Sequence, residues 1–262
     1  MTNATTNKFG EKAKIMVIEK NEIGAVNKLS FGVDSRFPSN VLLQNNLELF
    51  EWVKRNKSYP IFWCRNINGE NAVTKEEIEF LHDKACKVAV YYSEAGEKQT
   101  EEQGANVATI FISAAKELGI PNEAVLYLEI SESETATGEF ILAFATTMLE
   151  EGYVPGFKAN TDAAYSFDRE FGRASQMNIN VMNKCLVWAV APTIAEYDRI
   201  TTTHLIQPNV WKPFAPSFIT RRDISIWQYG KECHPIETDE GKKTTFNINL
   251  IRNNTVITEN MF

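Results

Sequence analysis

Little in this chain invites nucleic acid, metal or membrane. Its 262 residues carry 27 Lys and Arg against 34 Asp and Glu, a net charge of -7. No basic excess exists to neutralise phosphates, so nucleic acid is not expected as a partner. Histidine is scarce: His82, His204 and His234 show neither HxH nor i,i+4 ligand spacing. That speaks against a metal-dependent deacetylase or nuclease, and no metal is expected. No GxSxG elbow and no glycine-rich phosphate motif occurs, so neither triad chemistry nor a cofactor is expected. The four cysteines (Cys64, Cys86, Cys185, Cys233) form no CxxC pair and read as free thiols behaving as small hydrophobes. No apolar run approaches the roughly 20 residues of a membrane span. The opening MTNATTNKFGEKAK is polar and has no apolar core, so no Sec signal peptide is expected. The expectation is a soluble protein, cytoplasmic as synthesised. Work outside the cell would need lysis or a non-classical export route.

What the chain does have is alternation. Residues 1–28 read as an N-terminal extension, with KIMVIEK (14–20) as an edge strand or hairpin, and 29–262 as one domain. Strand-like runs are LSFGVD (29–34), YPIFWC (59–64), KVAVYYS (87–93), AVLYLEI (124–130), YVPGFKA (153–159), CLVWAVA (185–191), DISIWQY (223–229) and TFNINLI (245–251). Between them, amphipathic periodicity predicts helices over 40–56, 74–85, 100–118, 136–151 and 161–175. Thr74 with Glu77 three residues on is a capping-box pattern. Strands alternating with helices predict a parallel sheet, and eight of them favour a (β/α)8 TIM-like barrel over an open doubly wound sheet. Irregularity is expected at the C-terminal end. The aromatic, proline-containing stretch 192–222 reads as an elaborated rim loop, and the connection before the eighth run is too short for a crossover helix.

A strand's period of two assigns the faces. In the fourth run Leu126, Leu128 and Ile130 face outward; Tyr127, Glu129 and Ser131 face the interior. Asn247 and Asn249 in the eighth run and Gly32 and Asp34 in the first face inward likewise. A polar cup of Asp34, Glu129, Asn247, Asn249 and Arg65 is therefore expected where barrels build their sites. An interior ion pair of Arg65 with Glu129 is the purely structural alternative. Trp63, Tyr91, Tyr92, Trp188, Trp227 and Tyr229 lie near the same strand ends. Aromatic faces around a polar cup suit sugar rings; each ring alone reads as core sooner than as a ligand contact, and the collection is stronger than its members.

FGVD, WQYG and FNINL, in that order, resemble the family 25 lysozymes, which carry a Gly-Ile-Asp opening, a Trp-Gln-Tyr strand and a Val-Asp-Leu-Asn ending. PIFWCRNINGENAVTKEEIEFLHDKACKVAVYY, followed by QGANVATIFISAAKELGIPNEAVLYLEI, is closer to the related bacterial glycoside hydrolase-like barrel domains of uncertain function. The resemblance covers about residues 30 to 251. It implies a carbohydrate ligand, a cell-wall glycan, with Glu129 and Asp34 as catalytic carboxyl groups. It also implies Arg65, Tyr91, Trp227, Gln228 and Asn247 as substrate-binding residues, to which the reading of the strand-end aromatics adds Trp188.

The resemblance is incomplete. Where the lysozymes' fourth strand ends Asp-x-Glu, Glu129 aligns with the Asp and Ser131 with the Glu. A slipped register instead puts Tyr127 on the Asp and Glu129 on the Glu. Asn247 stands where the lysozymes have Asp. Glycoside hydrolysis needs two carboxyl groups in different protonation states, or one with help from the substrate, and neither Ser131 nor Asn247 can serve as one. Glu132 and Glu134 read as solvated loop charges. Two functions follow. One is a peptidoglycan hydrolase using Glu129 as acid with Asp34. The other is a weak or inactive barrel, a glycan-binding or interaction module of a cell-surface or phage-derived assembly with further protein partners. Carboxyl groups about 5–9.5 Å apart with open space between them would be compatible with catalysis.

Overall fold

The computed structural model describes residues 29–93, 96–194, 208–219, 224–252 and 257–262. The expected extension 1–28 with its KIMVIEK strand, His204 and much of the 192–222 loop lie outside the described residues, as does the His234 side chain. Eight strands close into a barrel in chain order: β1 Leu29–Ser35, β2 Phe62–Asn66, β3 Lys87–Tyr92, β4 Val125–Ile130, β5 Val154–Ala159, β6 Leu186–Ile194, β7 Ile224–Glu237 and β8 Lys243–Arg252. Pairs from β1 through β7 are parallel. β8 runs antiparallel to both β7 and β1, so the barrel is not all-parallel. The turn at 238–242 is far shorter than the dozen or more residues a parallel crossover needs, so β7 and β8 form a hairpin.

The helices are α1 Leu49–Asn56, α2 Lys75–Asp83, α3 Glu101–Leu118, α4 Gly138–Glu150, α5 Ser166–Met177, α6 Ile179–Lys184 and α7 Ile257–Asn260. Three start at threonine caps: Thr74, Thr100 and Thr137 accept the backbone N–H of Glu77, Gln103 and Phe140. Such caps satisfy donors that have no partner within the helix. Gly119 closes α3 in the left-handed region at φ 76, where glycine carries no Cβ penalty. Only the second half of the helix expected over 40–56 forms. Leu42 bridges Glu48 and Leu43 bridges Thr238, so this segment pairs with the β7–β8 hairpin instead of coiling. The helix expected from 161 begins at Ser166, because Asn160 and Asp162 side chains accept the N–H groups of Asp162 and Ala164 and hold a turn there. The short helix α6 carried no periodic signal in the sequence.

Two cores follow from the strand period. Outward residues such as Val33, Trp63, Val88, Leu128 and Phe157 pack under the helices. Inward residues Phe62, Cys64, Tyr91, Tyr127, Trp188 and Ile226 fill the ring with Met261. Bulk inside needs room opposite it: a Cβ on Gly156 would sit 2.4 Å from the Tyr127 ring. All four cysteines are buried and free, as expected. No described helix is long and apolar enough to cross a membrane.

Candidate functional site

Asp34 ends the inward face of β1. Across the strand pairs β1–β2 and β1–β8 its neighbours are Cys64 and Asn247. It is buried and accepts three hydrogen bonds: from Lys158 Nζ at 3.0 Å, from Asn247 Nδ2 at 2.8 Å and from Asn249 Nδ2 at 2.7 Å. Asn249 in turn accepts the indole N–H of Trp188 at 3.1 Å, and Asn247 accepts the backbone N–H of Glu232 at 2.6 Å. The two asparagines of β8 therefore act as fixed donors aimed at Asp34.

Lys158 is the centre of the site. It lies on the inward face of β5 at 3% exposure, with Nζ 3.0 Å from Asp34 Oδ2 and 3.0 Å from Glu129 Oε1. The same Nζ stands 4.1 Å from the Tyr91 ring centre and 4.6 Å from that of Trp188, so aromatic faces and carboxylates share one cation. Burial opposes its charge, but Asp34 and then Glu129 outweigh burial and push its pKa up. It is a protonated ammonium at neutral pH, unsuited to act as a nucleophile.

Glu129 lies at the mouth, 24% exposed. Burial alone would raise its pKa; Lys158, then a hydrogen bond from Ser93, outweigh burial and hold the carboxyl below its ordinary value. A group depressed in this way is ionised at neutral pH, the opposite of what a general acid needs. Asp34 Oδ2 and Glu129 Oε1 each lie 3.0 Å from the same nitrogen, so at most twice that distance separates them. The ammonium is in direct contact with both carboxylates, so a reacting water or sugar would have to compete with it for them.

Of the residues expected in the cup, the structure brings Asp34, Glu129, Tyr91, Gln228 and Asn247 to one cavity of about 580 Å³. Gln228 Oε1 is enclosed with no hydrogen-bond partner among the described residues. Burial holds the Tyr91 phenol up at about 12, against the opposing pull of Lys158. Trp188, expected to contact the ligand, faces inward but at 0% exposure lies under the cup, edge-on to Tyr91 and Tyr127.

Two expectations are corrected. Arg65 is not in the cup: Phe62 and Cys64 take the inward face of β2, and Arg65 points to the helix layer at 0% exposure. There it grips Glu77 of α2 through Nε at 2.9 and 3.0 Å and donates to the carbonyls of Ser35 and Asn71. The alternative pairing of Arg65 with Glu129 does not form either. Because Glu77 is spent on Arg65 and the Ser39 N–H, the Thr74 cap is not the reciprocal box its spacing predicts. Trp227 also faces outward, donating to the Ala191 carbonyl at 2.9 Å and packing edge-on against Trp211. Neighbours on a strand face opposite ways, so Trp227 and Gln228 could not both line one cup.

Ser131 follows β4 on the rim, bonded to Ser133. Glu132 accepts from Asn160 on the rim, while Glu134 pairs with the buried ammonium of Lys98 at 2.7 Å. Lys158 is the member of this cluster that reading the sequence missed. The same alternation applied to YVPGFKA would have found it, since Gly156 and Lys158 share a face opposite Phe157. Among the described residues no group of His, Cys, Asp and Glu could hold a metal.

Neither a protein-family model nor a curated protein matches the sequence. Solved structures do. An uncharacterized B. stearothermophilus protein superposes with a TM-score of 0.71 at 24% identity, over 89% of this chain and 100% of that one. The catalytic domain of endolysin ply40 from bacteriophage P40 of Listeria monocytogenes matches with a TM-score of 0.50 at 12% identity, over 88% of this chain and 97% of that one. The bacterial lysozyme from Streptomyces coelicolor gives 0.50 at 11% identity, over 88% and 97%. The chain thus shares the barrel fold of that endolysin catalytic domain and that lysozyme. At these identities the likeness is one of fold.

Proposed function

We propose that this barrel binds a saccharide in its cup without cleaving it, as a glycan-recognition module of a cell-surface or phage-derived assembly. The observation that carries this reading is Lys158, whose ammonium lies 3.0 Å from both candidate catalytic carboxylates. Hydrolysis needs one protonated and one ionised carboxyl, with room between them for the reacting centre. Here the cation keeps Glu129 ionised and is ion-paired with both carboxylates at once. The cup retains what binding needs: a cavity of about 580 Å³ lined by hydroxyl, amide and charged groups, within the size range of small-molecule sites. Cell-wall glycan is the ligand class suggested by the fold shared with an endolysin catalytic domain and a lysozyme.

The other reading, a peptidoglycan hydrolase with Glu129 as acid and Asp34 as its partner, draws support from both carboxylates lining one open cavity. Purified cell walls separate the two. Incubated with walls, the protein is expected to sediment with them and release no reducing ends. Release that falls at least about 100-fold in Glu129→Gln, the order expected for loss of a general acid, would favour the hydrolase. Failure to sediment would overturn the saccharide reading.

A further inference from the structure

The cup is electrically lopsided. In the closed ring β3, β4 and β5 lie across from β7, β8 and β1. The β3–β5 wall presents Ser93, Glu129, Glu132 and Asn160; the opposite wall presents two exposed cations, Arg36 after β1 and Lys231 on β7. Neither cation takes part in a salt bridge among the described residues. Phe37, half-buried, lines the cavity beside Arg36 and adds an apolar face. The acid on this wall, Glu232, is half-buried at a left-handed backbone position, φ 49. On the floor, Asp34 and Lys158 answer each other and offer a ligand no net charge.

We infer that the cup selects an acidic saccharide, its carboxylate or phosphate substituent set against Arg36 and Lys231 and its hydroxyls against the Glu129 and Asn160 wall. This rests on the saccharide reading above and adds the ligand's charge and its orientation. Guanidinium and ammonium groups form charge-assisted hydrogen bonds with either anion, so both anions fit the same wall. Hydroxyls, by contrast, are donors that the ionised Glu129 accepts.

A glycan array carrying neutral, carboxylated and phosphorylated versions of the same backbones tests this. Acidic members are expected to be retained about tenfold more strongly than their neutral counterparts, with the preference shrinking as salt is added. The carboxylated and phosphorylated arms report which anion is taken. The double variant Arg36→Gln/Lys231→Gln alters exposed side chains only and should melt like the parent. It is expected to bind neutral and acidic members alike, while Lys116→Gln, an exposed cation on α3 that does not line the cup, keeps the preference. Equal retention of neutral and acidic glycans by the parent, or a preference that survives the double variant, overturns the inference and leaves the saccharide reading standing. No retention of any glycan overturns both.

Discussion

Replacing Lys158 by methionine keeps most of the side chain's bulk and removes the ammonium that Asp34 and Glu129 share. Both carboxylates lose a contact of 3.0 Å, and the rings of Tyr91 and Trp188 lose the cation above them. Asp34 keeps two asparagine donors; Glu129 keeps Ser93. Removing one member of a buried ion pair costs about 3–5 kcal/mol, because the remaining charge is left desolvated. For a barrel of this size that lowers Tm by about 6–20 °C at neutral pH. The loss depends on pH. Two close carboxylates without their cation favour uptake of a proton by one of them, so the deficit should narrow as the pH falls. Thermal unfolding followed by circular dichroism across pH 4 to 8 reads this directly. The double variant Lys158→Met/Glu129→Gln, which no longer leaves Glu129 orphaned, should melt above Lys158→Met alone. A neutral-pH Tm for Lys158→Met within about 1 °C of the parent, or a loss that does not vary with pH, would refute the claim that this ammonium holds the site together.

Arg65→Met should destabilise by about 3–5 kcal/mol, since it strands Glu77 in the helix layer, yet leave the glycan affinity of the folded protein unchanged; titration calorimetry beside a melting curve checks both. Gly156→Ala should cost about 1–3 kcal/mol through its clash with Tyr127, read as a lower urea midpoint with unchanged slope. In acid, the stability contributed by Glu129 is present above its ordinary value of 4.5 and is lost as the pH falls through its lower folded value, so the stability gap between parent and Glu129→Gln should close there. Lys158, raised above 10.5, contributes throughout the range below that value and loses its contribution only as pH climbs towards the folded value.

The ring of eight strands was legible because each carries an apolar run of strand length, and the inward placing of Asp34, Glu129, Asn247 and Asn249 followed from the period of two alone. The misplacements share one cause. Arg65 and Trp227 were grouped with the cup by the family resemblance and by their place at the strand ends, without the alternation being applied to them, although adjacent strand positions face opposite sides. Lys158 was hidden because YVPGFKA, with its central Gly-Phe, reads as an ordinary buried strand, and a lysine at a strand's end reads as solvated. Burial of that lysine is made possible only by Asp34 from β1 and Glu129 from β4, partners far away in sequence. The direction of β8 was set by the length of one turn, whereas the pairing of 41–48 with the hairpin is a tertiary contact that no local pattern announces.

The most direct measurement is the protonation of Glu129 itself, followed through the carboxyl carbon shift in a pH titration of the folded protein by NMR. A midpoint below 4.5 is predicted, with Glu129 ionised at neutral pH. A midpoint near 6, about where a working general acid sits, would contradict the account and return the site to catalysis.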